Sequence, residues 1–239
     1  MLNGLYSAAA GMIAQQTRMD GLANDIANVN TIGYKQQRLG FRDLFYNTEQ
    51  GMRIGAGAAV VDSGRDFASG AFQTGDTLSV AISGPGFLQV RTNDGRIALT
   101  RNGDIHLDSS GTFTLASGQR LVPTITLPKG TSPDDVSIAG DGTVTAKGAT
   151  LGKITLVTVP GQARLQPIGD SLFLPTAASG APRPVTGGSR LEQGYLEASN
   201  VNLADAMVGV IDAQRSFQFD ARVITTQDQL MEIANQIRH

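Results

Sequence analysis

The sequence has no cysteine and no tryptophan, and aromatic residues make up only 5% of it. Without cysteine there is no disulfide staple, no thiolate zinc site and no thiol nucleophile. A chain of 239 residues lacking them must hold together by burial alone. Basic clusters are also missing: 19 Lys and Arg are scattered among 21 Asp and Glu, for a formal charge of −2. Nucleic acid, which asks for a basic face, is therefore not an expected partner. No apolar run approaches the ~20 residues that span a bilayer, so membrane insertion is not expected. The opening Met1-Leu2-Asn3-Gly4-Leu5-Tyr6-Ser7 has no positive charge before Arg18, which argues against a cleaved secretory leader.

The residues that carry catalysis do not assemble into a constellation. His106 falls in a strand-like run and His239 is the final residue; both read as surface or core positions. Asp134-Asp135 and Asp141 stand in Ser-Pro-Asp-Asp and Gly-Asp-Gly contexts, which is ordinary turn chemistry. Gly55-Ala56-Gly57 and Gly84-Pro85-Gly86 lack the strand-loop-helix setting and the Lys-Ser/Thr of a phosphate loop. The sequence therefore points to no enzyme, no metal site and no cofactor.

What is present is a pattern at the two ends. Leu5, Met12, Met19 and Ile26 recur every seven residues, with Leu2, Ala9, Gln16 and Ala23 as their companions. Leu203, Val210, Phe217, Ile224 and Met231 repeat the spacing, joined by Met207, Ala221, Leu230 and Ile237. Both stripes predict helices with the seam of a coiled coil. The first helix stops at the polar run Asn28-Val29-Asn30-Thr31-Ile32-Gly33. The second starts at Asn202, whose side chain is placed to cap it three residues before Asp205. Gly4, Gly11 and Gly21 each cost roughly 1 kcal/mol relative to alanine inside a helix, a cost tolerable where another backbone comes close. The same stripes could instead pack within one molecule as a simple helical hairpin. A lone hairpin with one seam is poorly supported, so the ends are expected to order on contact with neighbouring subunits.

Between them, from about residue 76 to 190, the helical period disappears. Short β-branched runs (Leu78–Ile82, Phe87–Val90, Ile105–Leu107, Thr112–Leu115 and Ile154–Val159) are separated by turn signals such as Asn93-Asp94-Gly95, Ser109-Ser110-Gly111 and Asp141-Gly142. The predicted fold class is α+β, with discontinuous N- and C-terminal coiled-coil helices enclosing an inserted all-β domain. The expected boundaries are residues 1–33 plus 200–239 for the helices, 34–75 for an extended linker, and 76–199 for the β-domain and its return segment.

The motifs Leu22–Lys35, Gly84–Val90, Leu99–Asp104 and Gln193–Asn202, taken with the two end stripes, resemble the flagellar basal-body rod and hook protein family. Leu22-Ala23-Asn24-Asp25-Ile26-Ala27-Asn28-Val29-Asn30-Thr31-Ile32-Gly33-Tyr34-Lys35 is similar to that family's rod signature. Gly84-Pro85-Gly86-Phe87-Leu88-Gln89-Val90 and Leu99-Thr100-Arg101-Asn102-Gly103-Asp104 resemble its Gly-x-Gly-Phe-Phe and Tyr-Thr-Arg-x-Gly elements, with Leu88 and Leu99 replacing aromatics. Gln193-Gly194-Tyr195-Leu196-Glu197-Ala198-Ser199-Asn200-Val201-Asn202 resembles the C-terminal entry motif, and Ala213-Gln214-Arg215-Ser216-Phe217 continues it. The resemblance singles out Asn28, Asn30, Gly33, Tyr34, Gly86, Phe87, Asn200 and Asn202 as motif positions. It implies a structural subunit of the periplasmic rod that leaves the cell body through the flagellar export apparatus without signal cleavage. Its implied partners are copies of itself, other rod subunits, the hook, and ring proteins around the rod. Arg53-Ile54-Gly55-Ala56-Gly57 and the last helix favour the distal-rod type. The short connection Asn47–Met52 after Phe41–Tyr46 lacks that type's insertion and points to a proximal or variant subunit. A β-rich extracellular adhesin and a peripheral membrane protein are the alternatives from other classes.

Overall fold

The computed structural model describes residues 2–47 and 53–237. Readings that rested on Thr48–Met52 and His239, or on the side chains of Leu2, Asn47, Arg53, Ile54 and Ile237, lie outside what it describes. The element order is α1 (Leu2–Ala27), β1 (Gln37–Asn47), β2 (Arg53–Arg65), β3 (Phe72–Thr74), β4 (Val80–Ser83), β5 (Leu88–Arg91), β6 (Ile97–Thr100), β7 (Ile105–Leu107), β8 (Phe113–Leu115) and β9 (Arg120–Val122). Then come β10 (Val136–Ile138), β11 (Thr143–Ala146), β12 (Ala149–Lys153), β13 (Val157–Thr158), β14 (Gln166–Gly169), β15 (Leu172–Leu174), β16 (Arg183–Pro184), β17 (Arg190–Gln193), β18 (Tyr195–Glu197) and α2 (Leu203–Ile237). The chain is α+β and divides into two compact units: Met1–Ala27, Gln37–Ser63 and Asn202–His239 in the first, Asn28–Gln36 and Gly64–Val201 in the second.

In the first unit α1 packs against α2 on one side and against the paired strands β1 and β2 on another. The helices run antiparallel, since Gly4 lies opposite Gln227, Gly11 opposite Asp220, and Gly209 opposite Leu22. At Gly11 a Cβ would sit 2.7 Å from an Asp220 carboxylate oxygen, so the glycine that weakens the isolated helix is the one that admits its neighbour. Asn202 caps α2, its Oδ1 accepting from the amides of Ala204 (3.0 Å) and Asp205 (3.4 Å). Residues 37–65, expected as linking chain, carry two long strands instead. Their sequence hid them because Phe41 and Phe45 face outward and β2 is a run of Gly, Ala and Val with no polar alternation.

The second unit is built on an antiparallel sheet of seven strands in the order β14-β15-β6-β5-β9-β8-β7. Its hairpin turns fall where glycine was expected to allow them: Gly95 between β5 and β6, Gly111 between β7 and β8, Gly142 between β10 and β11, all at positive φ. A main core gathers Leu88, Val90, Ile105, Phe113, Leu115 and Leu121 from the large sheet, Val80, Ile82 and Leu191 from the β17-β4 pair, and neighbours from β10-β11-β12. A second cluster of Phe87, Leu99, Val157, Val159, Leu165 and Phe173 lies beside it, with Phe67 edge-on to both Phe87 and Phe173. Ile154–Val159 is strand only at Val157–Thr158, because it pairs with just the two residues of β16. The last strands return to early ones: β17 pairs with β4 and β18 with β3.

Candidate functional site

The helix pair uses the expected stripes only in part. Leu5, Met12, Met19 and Ile26 are half-buried, as are Val210, Phe217, Ile224 and Met231. Leu203 and Met207 are 43% and 54% exposed, and Leu230 is also exposed. Among the described side chains of α2, those fully buried are Ala206 and Ala213, at 2% and 0%. Seven and fourteen residues beyond Ala213 come Asp220 and Gln227, the partners of Gly11 and Gly4. The packed seam is thus small and polar, flanked by the large side chains rather than made of them. A hydrophobicity pattern cannot show such a seam; only the seven-residue spacing of Ala206 and Ala213 could have suggested it. Burial holds the Asp220 carboxyl above its ordinary value of 3.8.

The other side of α2 is mixed, with large apolar side chains exposed among Asp212, Arg215, Gln218 and Arg222. With about 3.6 residues per turn, Val208, Ile211, Phe219 and Ile233 lie opposite Ala206 and Ala213. All four are exposed, Phe219 at 69%. Large apolar side chains of α2 are therefore left uncovered on the side away from α1. Large apolar side chains exposed on one face of a helix are a feature that contact with another subunit would bury.

In the second unit three distant motifs meet at a buried cluster of charge. Lys35 donates to Glu197 Oε1 at 2.5 Å and to the Ala68 carbonyl at 2.8 Å. Arg101 donates to Glu197 Oε2 at 2.9 Å, and its Nε and remaining nitrogen reach the carbonyls of Gly86 (3.1 Å) and Gly84 (2.5 Å). All three side chains are essentially excluded from solvent. Gly84-Pro85-Gly86 is thus a turn that presents carbonyls to a guanidinium, and the Phe87 ring next to it is buried under Arg101. Burial lowers the Lys35 ammonium below 10.5, and Glu197 opposes the shift.

Gly33, Tyr34, Gly86, Phe87 and Asn200 are placed around this cluster, while Asn28, Asn30 and Asn202 have local roles. Gly33 adopts φ +66° and donates its amide to the Glu197 carbonyl at 2.8 Å; a Cβ there would strike the Asn102 backbone at 2.6 Å. The Tyr34 hydroxyl accepts from Arg65 at 2.9 Å. Asn200 accepts from the Gln36 amide at 2.8 Å and donates to the carbonyls of Asp66 and Ala68. Asn28 takes a bond from Thr31 in the turn after α1, Asn30 is exposed in that turn, and Asn202 serves as the α2 cap. Lys35, Arg101 and Glu197 were quoted within the motifs but not singled out. Their sequence positions carry no mark of their being partners.

The polar residues weighed as sites have local partners. His106 Nε2 lies 3.1 Å from Asp104, Asp134 is capped by Ser132, and Asp141 accepts from Thr143 and Lys153, which lowers its carboxyl to about 2. Among the described residues no group of three His, Asp or Glu is arranged to hold a metal, and no helix is long and apolar enough to cross a membrane.

Family comparisons fall on these same pieces. The family described as flagella basal body rod protein matches residues 5–35, the flagellar hook protein FlgE/F/G D1 domain matches residues 81–146, and the flagellar basal body rod FlgEFG protein C-terminal region matches residues 192–237. Lys35, Arg101 and Glu197 fall one in each. The flagellar basal-body rod protein FlgG of Agrobacterium fabrum is 36% identical, with 98% of each chain covered. That of Borreliella burgdorferi is 35% identical over 100% of this chain and 99% of the relative. Its alignment runs to 263 positions, longer than the 239 residues present here, so that relative carries segments this chain lacks. The rod protein FlgF of Caulobacter vibrioides is 30% identical over 98% of this chain and 97% of its own. Matched at both ends and in the middle, and aligned nearly end to end with rod proteins at 30% identity or more, the chain belongs to the flagellar basal-body rod protein family.

Proposed function

We propose that this structural subunit of the bacterial flagellar rod, located in the basal body, polymerises helically through its terminal helices. The pairing of α1 and α2 extends in the polymer into coiled-coil packing against neighbouring copies, forming a tube wall that lines the export channel and transmits torque. Residues 1–33 and 200–239 are the assembling domain, and the half-buried Leu5, Met12, Met19, Ile26, Val210, Phe217, Ile224 and Met231 brace it. Its partners are copies of itself, adjoining rod subunits or the hook, the export apparatus that delivers it, and surrounding ring proteins. The FlgG relatives favour the distal type; the FlgF relative and the missing insertion are the grounds for a proximal or variant subunit. A β-rich adhesin is not favoured, because the helices at both ends match rod families.

The observation that carries this reading is the set of large apolar side chains, Val208, Ile211, Phe219 and Ile233, left exposed on α2 opposite the side taken by α1. A heterologous contact of one subunit surface with a different surface on the next generates an open helical filament. The substitution Phe219→Asp tests it. The exposed ring contributes little to the free subunit, so the thermal melt is expected to stay within about 0.5 kcal/mol of the parent. Polymerisation followed by light scattering, and motility restored to a strain lacking the gene, are expected to be lost. A variant that assembles and swims like the parent would refute the assignment.

A further inference from the structure

Residues 190–200 do more than return the chain to α2. Their backbone adds strands to β4 and β3, and Leu191 and Leu196 enter the core. Gln193 donates to the carbonyls of Thr77 (2.8 Å) and Val136 (2.9 Å) and accepts from the Ile138 amide at 2.7 Å. Glu197 takes the Gly70 amide as well as both buried cations, and Asn200 takes the Gln36 amide. The segment thus satisfies backbone groups from four separate stretches of the second unit. This is how an extended peptide is recognised by strand addition, with alternate side chains in pockets.

The electrostatics give this contact a direction. Lys35 and Arg101 repel one another, and Glu197 supplies the carboxylate hydrogen-bonded to both. That carboxylate lies 162 residues after Lys35 and 96 after Arg101. Closing such long loops is entropically costly, and non-local pairings form late. We infer that residues 190–200 are a clasp that closes the second unit last and opens first, leaving the seven-stranded sheet behind it intact. Before it docks, two cations and several backbone groups have no place in a dry interior, and the unit stays unlocked. A chain whose C-terminal part has not yet arrived therefore cannot finish folding this unit. The inference rests on the geometry of the second unit and is independent of the polymerisation proposed above.

Hydrogen exchange on the full-length chain tests it. The amides of residues 190–198, with those of Gly33, Gln36, Gly70, Gly75 and Ile138, are expected to exchange together while β5 and β6 remain protected. Glu197→Gln is expected to raise the frequency of that opening at least about a hundredfold, because it leaves two buried cations uncompensated. Tyr195→Ser, on the same strand but exposed, is expected to leave it unchanged. Should Glu197→Gln fail to fold, the double variant Lys35→Met, Glu197→Gln is read the same way. Clasp amides that exchange in the parent only together with β5 and β6, or an acceleration spread evenly over the unit, would overturn the inference.

Discussion

Glu197 and Lys35 sit in one buried cluster, yet removing either has different consequences. Lys35→Met takes away one of two cations and leaves the Arg101–Glu197 pair intact, with its carbonyl contacts to Gly84 and Gly86. Glu197→Gln leaves both cations in a dry site. Breaking a buried pair in this way costs about 3–5 kcal/mol, whereas trading a charge for an apolar side chain of similar volume is far milder. Urea denaturation of full-length variants is expected to rank the parent and Lys35→Met close together, with Glu197→Gln well below. Equal losses would mean that the cluster does not work as a two-to-one arrangement. The sequence shows each of these residues inside a recognisable motif, but not that they touch. Nothing local in Lys35 refers to a residue 162 positions away.

At the scale of the element, the helix pair shows why hydrophobic spacing was only half informative. Large residues every seven positions did mark two helices, and Val210, Phe217, Ile224 and Met231 do lie on the covered side. Tight approaches fall at Gly11 and Gly209, and the fully buried side chains are Ala206 and Ala213, small residues that an apolarity scale barely registers. Leu203, Met207 and Leu230 are large and apolar but point elsewhere. Asp220 gives the pairing a pH dependence. Burial raises its carboxyl above 3.8, so the folded chain holds that proton more tightly than the unfolded one. Its contribution is therefore fully present below 3.8 and is lost as pH rises through the raised value. Helix melting followed by circular dichroism is expected to be weaker at neutral than at mildly acidic pH, and Asp220→Asn is expected to flatten that difference. Identical pH profiles for the two proteins would contradict the placement of Asp220 against Gly11.

For the whole molecule, the two units differ in what supports them. The second has a main core of buried apolar side chains and a second aromatic cluster; the first rests on a small polar seam in which the side-chain oxygens of Gln15 and Gln227 are buried without partners among the described residues. Limited proteolysis of the free subunit, with fragments identified by mass spectrometry, is expected to cut α2 before the seven-stranded sheet. In the assembled polymer both are expected to resist. A free subunit whose helices survive as long as its sheet would contradict the idea that neighbours complete them. The β-unit was the more legible from sequence, since its hairpins are announced by glycines at positive φ between alternating residues. β1 and β2 were not, because a two-stranded ribbon with outward aromatics breaks the alternation that reveals a strand.

The division of the chain has one more consequence. The backbone passes from one unit to the other four times, at 27–28, 36–37, 63–64 and 201–202. Nicking any one of these crossings leaves the two halves tethered by the other three. Clipping off the terminal helices genetically would also strand the β1–β2 ribbon without its scaffold. A minimal fragment for either half must be spliced from separate stretches rather than cut at a single boundary.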